Sequence, residues 1–159
     1  MPSQFSRWLY FHYGGIMNVK IINKSHHPLP KYETAGASGV DLRAYLKEPI
    51  TIKPFERVRI PTGLYIELPP FIEGQVRARS GLAYRKGLSL PNGIGTIDTD
   101  YRGEIQVLLI NLSNEEVIIE DGERIAQLVF IEYKKVDFLE VNELTNTQRN
   151  EGGFGHTGI

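Results

Sequence analysis

The chain has 159 residues, 41% of them hydrophobic, which suits one domain with a single ordinary core. Its 18 Lys and Arg against 19 Asp and Glu leave a net charge of −1. No global field then draws it to nucleic acid or an anionic membrane, and any phosphate binding has to be local. The lack of cysteine excludes disulfides, thiolate zinc sites and cysteine nucleophiles, and it suits a reducing compartment, with the cytoplasm as the expected location.

Residues 1–16 hold the apolar cluster Trp8 to Phe11, too short for a membrane span and without the long apolar core of a signal peptide. They read as an N-terminal extension; Met17 is an alternative start, and an ordered extra strand is the competing reading. Short β-branched runs then recur between turn signals: Val19 to Ile22, Val40 to Tyr45, Ile50 to Ile52, Val58 to Ile60, Leu64 to Leu68 and Gln75 to Arg79. They continue as Ile105 to Leu112, Val117 to Ile119, Ile125 to Tyr133 and Val136 to Val141. Each is too short or too β-branched to favour a helix, and proline and glycine bound the runs as strand breakers. The pattern predicts an all-β sandwich or jelly roll. One short helix is expected over 80–87, opened by Ser80 as N-cap and closed by Gly87 in a left-handed conformation. A β domain over 17–141 is followed by a polar, Gly-rich arm over 142–159, whose default reading is a flexible end.

Three Gly-rich segments carry side chains suited to a polyphosphate. In Arg79-Ser80-Gly81 a planar charged fork, a hydroxyl donor and an open backbone meet at the start of the helix; an ordinary helix cap beside a solvated arginine explains the same residues. The segment NGIGTIDTDYRGE over 92–104 reads as a long hairpin. Asn92-Gly93 favours a tight turn whose backbone could read the edge of a base. Asp98, held from bulk water between Ile97 and Thr99, could take a proton from a positioned water, and Tyr101 offers a flat face. A polar hairpin tip is the plainer explanation, and Asp98 and Asp100 are both candidate carboxylates. The tail RNEGGFGHTG over 149–158 could fold over a ligand, although disorder also accounts for its composition. His26-His27, His12 and His156 lack metal-ligand spacing, and surface histidines are the expectation there.

In order, these loops resemble the five motifs of the trimeric dUTP pyrophosphatase (dUTPase) family, from about Val19 to the C-terminus. The motifs are ASGVDLRA (37–44), RSGLA (79–83), NGIGTIDTDYRGE (92–104), GERIAQLVF (122–130) and the tail. The sequence departs from the family pattern at Ala37-Ser38, at Thr99, at Asn150 where glycine is frequent and at His156 where serine is frequent; the last two touch arm closure. The resemblance implies a jelly-roll β-barrel homotrimer with active sites shared between subunits and an arm that orders over a neighbour. It implies hydrolysis of dUTP to dUMP and pyrophosphate by water attack on the α-phosphorus, with Asp98 as general base and Mg²⁺ as cofactor. This would limit uracil in DNA and supply dUMP for dTMP synthesis.

By the same resemblance Asn92, Gly95, Thr96 and Ile97 read the base and Tyr101 packs under the deoxyribose. Arg79, Ser80, Gly81 and Gln127 hold phosphates, while Arg149, Phe154, Gly155, His156 and Thr157 close from the arm. Asp41 acts on the metal through water, and the ion is otherwise held by the triphosphate, since the chain offers no carboxylate cage. The partners implied are dUTP and two further copies of the chain, with no nucleic acid and no membrane. Two alternatives stand beside this reading. A dCTP deaminase of the same fold would need a Glu beside the base, which the hairpin lacks before Glu104. A non-catalytic nucleotide-binding module would have lost Asp98, Tyr101 or the tail.

Overall fold

The computed structural model describes residues 17–153, so the expectations for residues 1–16 and for Phe154, Gly155, His156 and Thr157 lie outside the described residues. Eleven strands and one short helix follow one another in this part of the chain. The strands are β1 (Lys20–Asn23), β2 (Gly39–Arg43), β3 (Ile50–Ile52), β4 (Arg57–Pro61), β5 (Leu64–Glu67) and β6 (Ile72–Arg77). Helix α1 (Ser80–Lys86) then precedes β7 (Leu88–Ser89), β8 (Gly95–Ile97), β9 (Gln106–Asn111), β10 (Val117–Ile119) and β11 (Arg124–Glu132).

All pairings are antiparallel. They form a four-stranded sheet in the order β2-β11-β6-β8, a three-stranded sheet β4-β9-β7, and the pairs β1-β5 and β3-β10. The period-2 alternation of side chains explains the core. In β6, Ile72 and Val76 point inward while Glu73, Gln75 and Arg77 point outward. In β9, Val107 and Leu109 are buried against Ile60, Ile105 and Ile125.

Two buried polar side chains tie the sheets together. Asn111, fully buried, donates from Nδ2 to the carbonyls of Ile52 (2.9 Å) and Glu115 (2.7 Å), and its Oδ1 accepts from the amide and hydroxyl of Ser113. Thr62 donates to the carbonyl of Ile105 at 2.6 Å. With every bond made, these groups avoid the cost of a buried unpaired polar atom.

Four details differ from expectation. The helix is N-capped by Arg79, not Ser80: Arg79 is extended, no side chain caps it, and its carbonyl accepts from Leu82 and Ala83. Its end falls as expected, at Gly87 with φ 67°. Strands β7 and β8 were not signalled, being two and three residues long with Ser, Gly and Thr among them. Segment 92–104 is no simple hairpin, because β8 pairs with β6 while β7 and β9 pair with each other. Finally, the run Val136 to Val141 forms no strand; β11 ends at Glu132 and Phe138 and Leu139 are 96% and 85% exposed. Among the described residues an extended run finds no ladder partner or apolar face there, and propensity alone does not make a strand.

Candidate active site

The outward face of β4 and β9 builds the floor of the first cluster. Arg59 sits in register with Leu108, and Gln106 follows on the same face. Segment 92–104 arches over this floor and encloses a cavity of about 390 Å³ lined on its other walls by Asn92, Gly95, Thr96, Ile97, Asp98 and Tyr101. Gly93, at φ 71°, makes the turn that Asn92-Gly93 predicts, and its amide donates to the carbonyl of Leu90 at 3.0 Å. Ile94, Leu108 and Tyr101 leave apolar surface exposed around the cavity, where a flat base and a sugar could pack.

Asp98 closes a tight turn by accepting the Tyr101 amide at its carbonyl, 3.2 Å away. Its carboxylate is exposed in the single chain, contrary to the expectation of a carboxylate held from bulk water by Ile97 and Thr99, because only Ile97 turns inward. Among the described residues that carboxylate has no hydrogen bond or ion pair. Geometry separates the two candidate carboxylates: Asp98 lines the cavity with Tyr101, while Asp100 faces a different one beside Pro70, Phe71 and Tyr133. Tyr101 is fixed by its hydroxyl, which donates to the carbonyl of Glu104 at 3.0 Å. A Cβ on Gly103 would overlap that ring and hydroxyl, so the close approach needs glycine. Glu104 also lines the cavity, but its Oε1 accepts the Gly63 amide at 2.7 Å and its Oε2 accepts from Gln106 Nε2 at 3.2 Å.

A second cluster lies on the outward face of β2, β11 and β6. There Asp41, Gln127 and Arg77 stand side by side in register across three strands. Arg124 Nη1 donates to Asp41 Oδ2 at 3.1 Å, and Arg79 Nη1 donates to the carbonyl of Arg124 at 3.0 Å. Arg79 Nε lies 3.0 Å from Asp41 Oδ1, but off the line of a hydrogen bond, so this buried oxygen has charge nearby and no hydrogen-bond donor among the described residues. Beside it, Arg43, Arg79, Arg85, Lys86 and Arg124 line a cavity of about 450 Å³ with Glu123 as its one carboxylate. Five cations over one anion suit a polyphosphate. Ser80 is exposed and Gly81 half-buried at the start of α1; neither lines this groove, though a Cβ on Gly81 would lie 3.0 Å from Arg85 Nη2.

The two clusters share no lining residue. Strand β6 connects them, with Val76 in the first cavity and Arg79, two residues past the strand end, in the second. Arg149 is away from both and donates to the carbonyl of Gly152 at 2.7 Å. Asn150 takes a left-handed φ of 43° and exchanges hydrogen bonds with Thr147. Asn tolerates that region, which explains how it stands where glycine is frequent. Arg124 and Arg43 were given no role in the sequence, and Glu104 was named there only against the deaminase alternative; Arg124 and Gln127, three apart, face outward together only because β11 has a bulge between Arg124 and Ala126, which alternation does not foretell.

Comparison with known proteins supplies the context. The sequence profile of the dUTPase family matches residues 25–158. The deoxyuridine 5'-triphosphate nucleotidohydrolase of Finegoldia magna is 57% identical over 142 residues, covering 89% of this chain and 99% of that protein. The enzyme of the same name from Aquifex aeolicus is 62% identical over 131 residues, 82% and 87% of the two chains. Among solved structures, a mutant dUTPase of Staphylococcus bacteriophage 80alpha with dUpNHpp superposes with a TM-score of 0.79 at 23% identity, over 89% of this chain and 99% of that one. A mutant dUTPase from phage phi11 of S. aureus, described for its coordination of a structural Mg(II) ion, gives 0.74 at 18% identity, over 82% and 100%. The fold is theirs, and by sequence the chain belongs to the dUTPase family.

Proposed function

We propose that this protein hydrolyses dUTP to dUMP and pyrophosphate, removing a precursor of uracil in DNA and supplying dUMP for dTMP synthesis. The observation that carries the reading is the cavity under segment 92–104, where an unpaired carboxylate, a fixed aromatic face and an open strand edge converge. Uracil pairs with the backbone of Asn92 to Ile97, and deoxyribose rests on Tyr101, leaving no room for a 2′-hydroxyl. Asp98 holds a water and takes its proton as the oxygen attacks the α-phosphorus in line; the bond to the bridging oxygen breaks and pyrophosphate leaves. Arg79, Ser80, Gly81 and Gln127 hold the phosphates, and Arg149, Phe154, Gly155, His156 and Thr157 close over them.

Asp41 fits a supporting role towards Mg²⁺: its buried Oδ1 lacks a hydrogen-bond donor and can accept from a metal-bound water. Among the described residues no carboxylate cage lies at the site, so Asp41 would act through water while the triphosphate holds the ion. Bound Mg²⁺ supplies neutralisation of the charge that builds on the phosphate oxygens.

The same reading includes a homotrimer. The base cavity and the cationic groove line separate surfaces of one chain, and the apolar run after β11 is uncovered, so neighbouring copies would complete the site and cover the run. The family's dCTP deaminase alternative is disfavoured by Glu104, whose two oxygens are already occupied. The deciding measurement is pyrophosphate release from dUTP, UTP, dTTP and dCTP. Turnover of dUTP should exceed the others by roughly 10²-fold or more; absence of dUTP turnover, or ammonia release from dCTP, would reject the proposal.

A further inference from the structure

Away from both clusters, the loop after β1 meets the turn between β10 and β11. His26 Nε2 lies 2.7 Å from Asp121 Oδ2 and His27 Nε2 lies 3.0 Å from Asp121 Oδ1, across 95 and 94 residues of sequence. The two imidazole rings are 4.2 Å apart, and one ligand atom from each of the three residues lies within 4.8 Å of the others. We propose that His26, His27 and Asp121 form a binding site for a divalent ion of the zinc class.

Two imidazoles and a carboxylate are the donor set of three-ligand zinc sites, with water in the fourth position. Tetrahedral zinc with bonds near 2.0 Å needs donor atoms ~3.3 Å apart, so the N···O spacings of 2.7 and 3.0 Å have to widen by about 0.6 and 0.3 Å, and the carboxylate, which now meets the two imidazoles with different oxygens, has to turn one of them to the ion. Binding would move each ring proton from Nε2 to Nδ1 and leave Nε2 as ligand. The carboxylate is held in place by the Leu46 amide, which donates to Asp121 Oδ1 at 2.8 Å.

The surroundings hold the donors in place. Asn23 Nδ2 donates to the carbonyl of His27 at 2.8 Å, Tyr45 packs edge-on against both rings, and His27 has only 14% of its side chain exposed. Gly122, at φ 75°, lets His27 approach, since a Cβ there would sit 3.1 Å from its Cε1. His26, 62% exposed, leaves one side open for entry and for the fourth ligand. Magnesium, which prefers oxygen donors in an octahedron, should not compete. Bound metal would clip two segments distant in sequence, next to the Arg43 contact with the Gly122 carbonyl.

The test uses the full-length protein stripped with EDTA and titrated with Co²⁺, read by visible absorbance, in the presence of excess Mg²⁺ and without nucleotide, so its outcome is independent of dUTP hydrolysis. One Co²⁺ per chain is expected, with affinity at least about tenfold weaker in H26A and in D121N and unchanged in H156A. His26 is exposed, so H26A should fold. Zn²⁺ at about a hundredfold over Kd should raise Tm by about 5 °C or more in the wild type and not in H26A. Absence of Co²⁺ uptake, uptake untouched by H26A, or loss of uptake in H156A would overturn the proposal.

Discussion

Asp98 and Tyr101 show how single residues acquire chemistry from where the backbone leaves them. The carboxylate of Asp98 is uncommitted while its backbone holds a turn, so its replacement should alter proton transfer without altering the pocket. Asp98→Asn is expected to keep nucleotide binding, measured by calorimetry with a non-hydrolysable analogue, and to lower turnover by roughly two to four orders of magnitude. Tyr101 is different, because its placement depends on a neighbour without a side chain. Gly103→Ala should push the ring off its perch and erode preference for dUTP over UTP, read as the ratio of kcat/KM values, with Tm little changed since the residues lie at the surface. The sequence carried much of this: the carboxylate and the aromatic were legible in GTIDTDYRGE. Spacing alone left Asp98 and Asp100 equal, because it does not say which cavity each side chain enters, and the choice of Asp98 rested on the resemblance. The sequence hid the histidine and aspartate cluster altogether, because adjacent histidines have no ligand spacing until a turn some 95 residues on reaches them.

At the scale of elements, alternation exposed most strands because one face of each is buried, and the left-handed end of α1 was legible from Gly87. The exceptions share a cause, which is that pairing depends on partners remote in sequence. Strand β8 is too short to show a period, yet β6 offers it an edge. The run from Val136 to Val141 has the composition of a strand and no edge among the described residues. Beyond it, the turn at Thr147 to Gly152 is held by its own side chains, and residues 147–151 are exposed. Deleting residues 149–159 should therefore leave Tm and oligomeric mass unchanged while activity falls steeply, a pair of readings that thermal unfolding and pyrophosphate release would supply.

For the molecule as a whole, the uncovered apolar run after β11 and the division of the site into two cavities point the same way. Sedimentation equilibrium should give three times the chain mass; a monomer mass would contradict the shared-site arrangement. Further, mixing subunits carrying Asp98→Asn with subunits carrying Arg79→Ala should restore turnover in a fraction of the mixed assemblies, if catalytic and phosphate-binding groups of one site come from different copies. Neither parent should recover activity alone.

The path of segment 92–104 has a mechanical consequence. It leaves from β7 in one sheet, is pinned through β8 to β6 in another, and returns to β9 in the first. A wall sewn to two sheets cannot swing aside without breaking a seam, so the pocket beneath it inherits the cooperativity of the entire domain. If the arm closes over the phosphates as proposed, base recognition and closure fall to different parts of the chain.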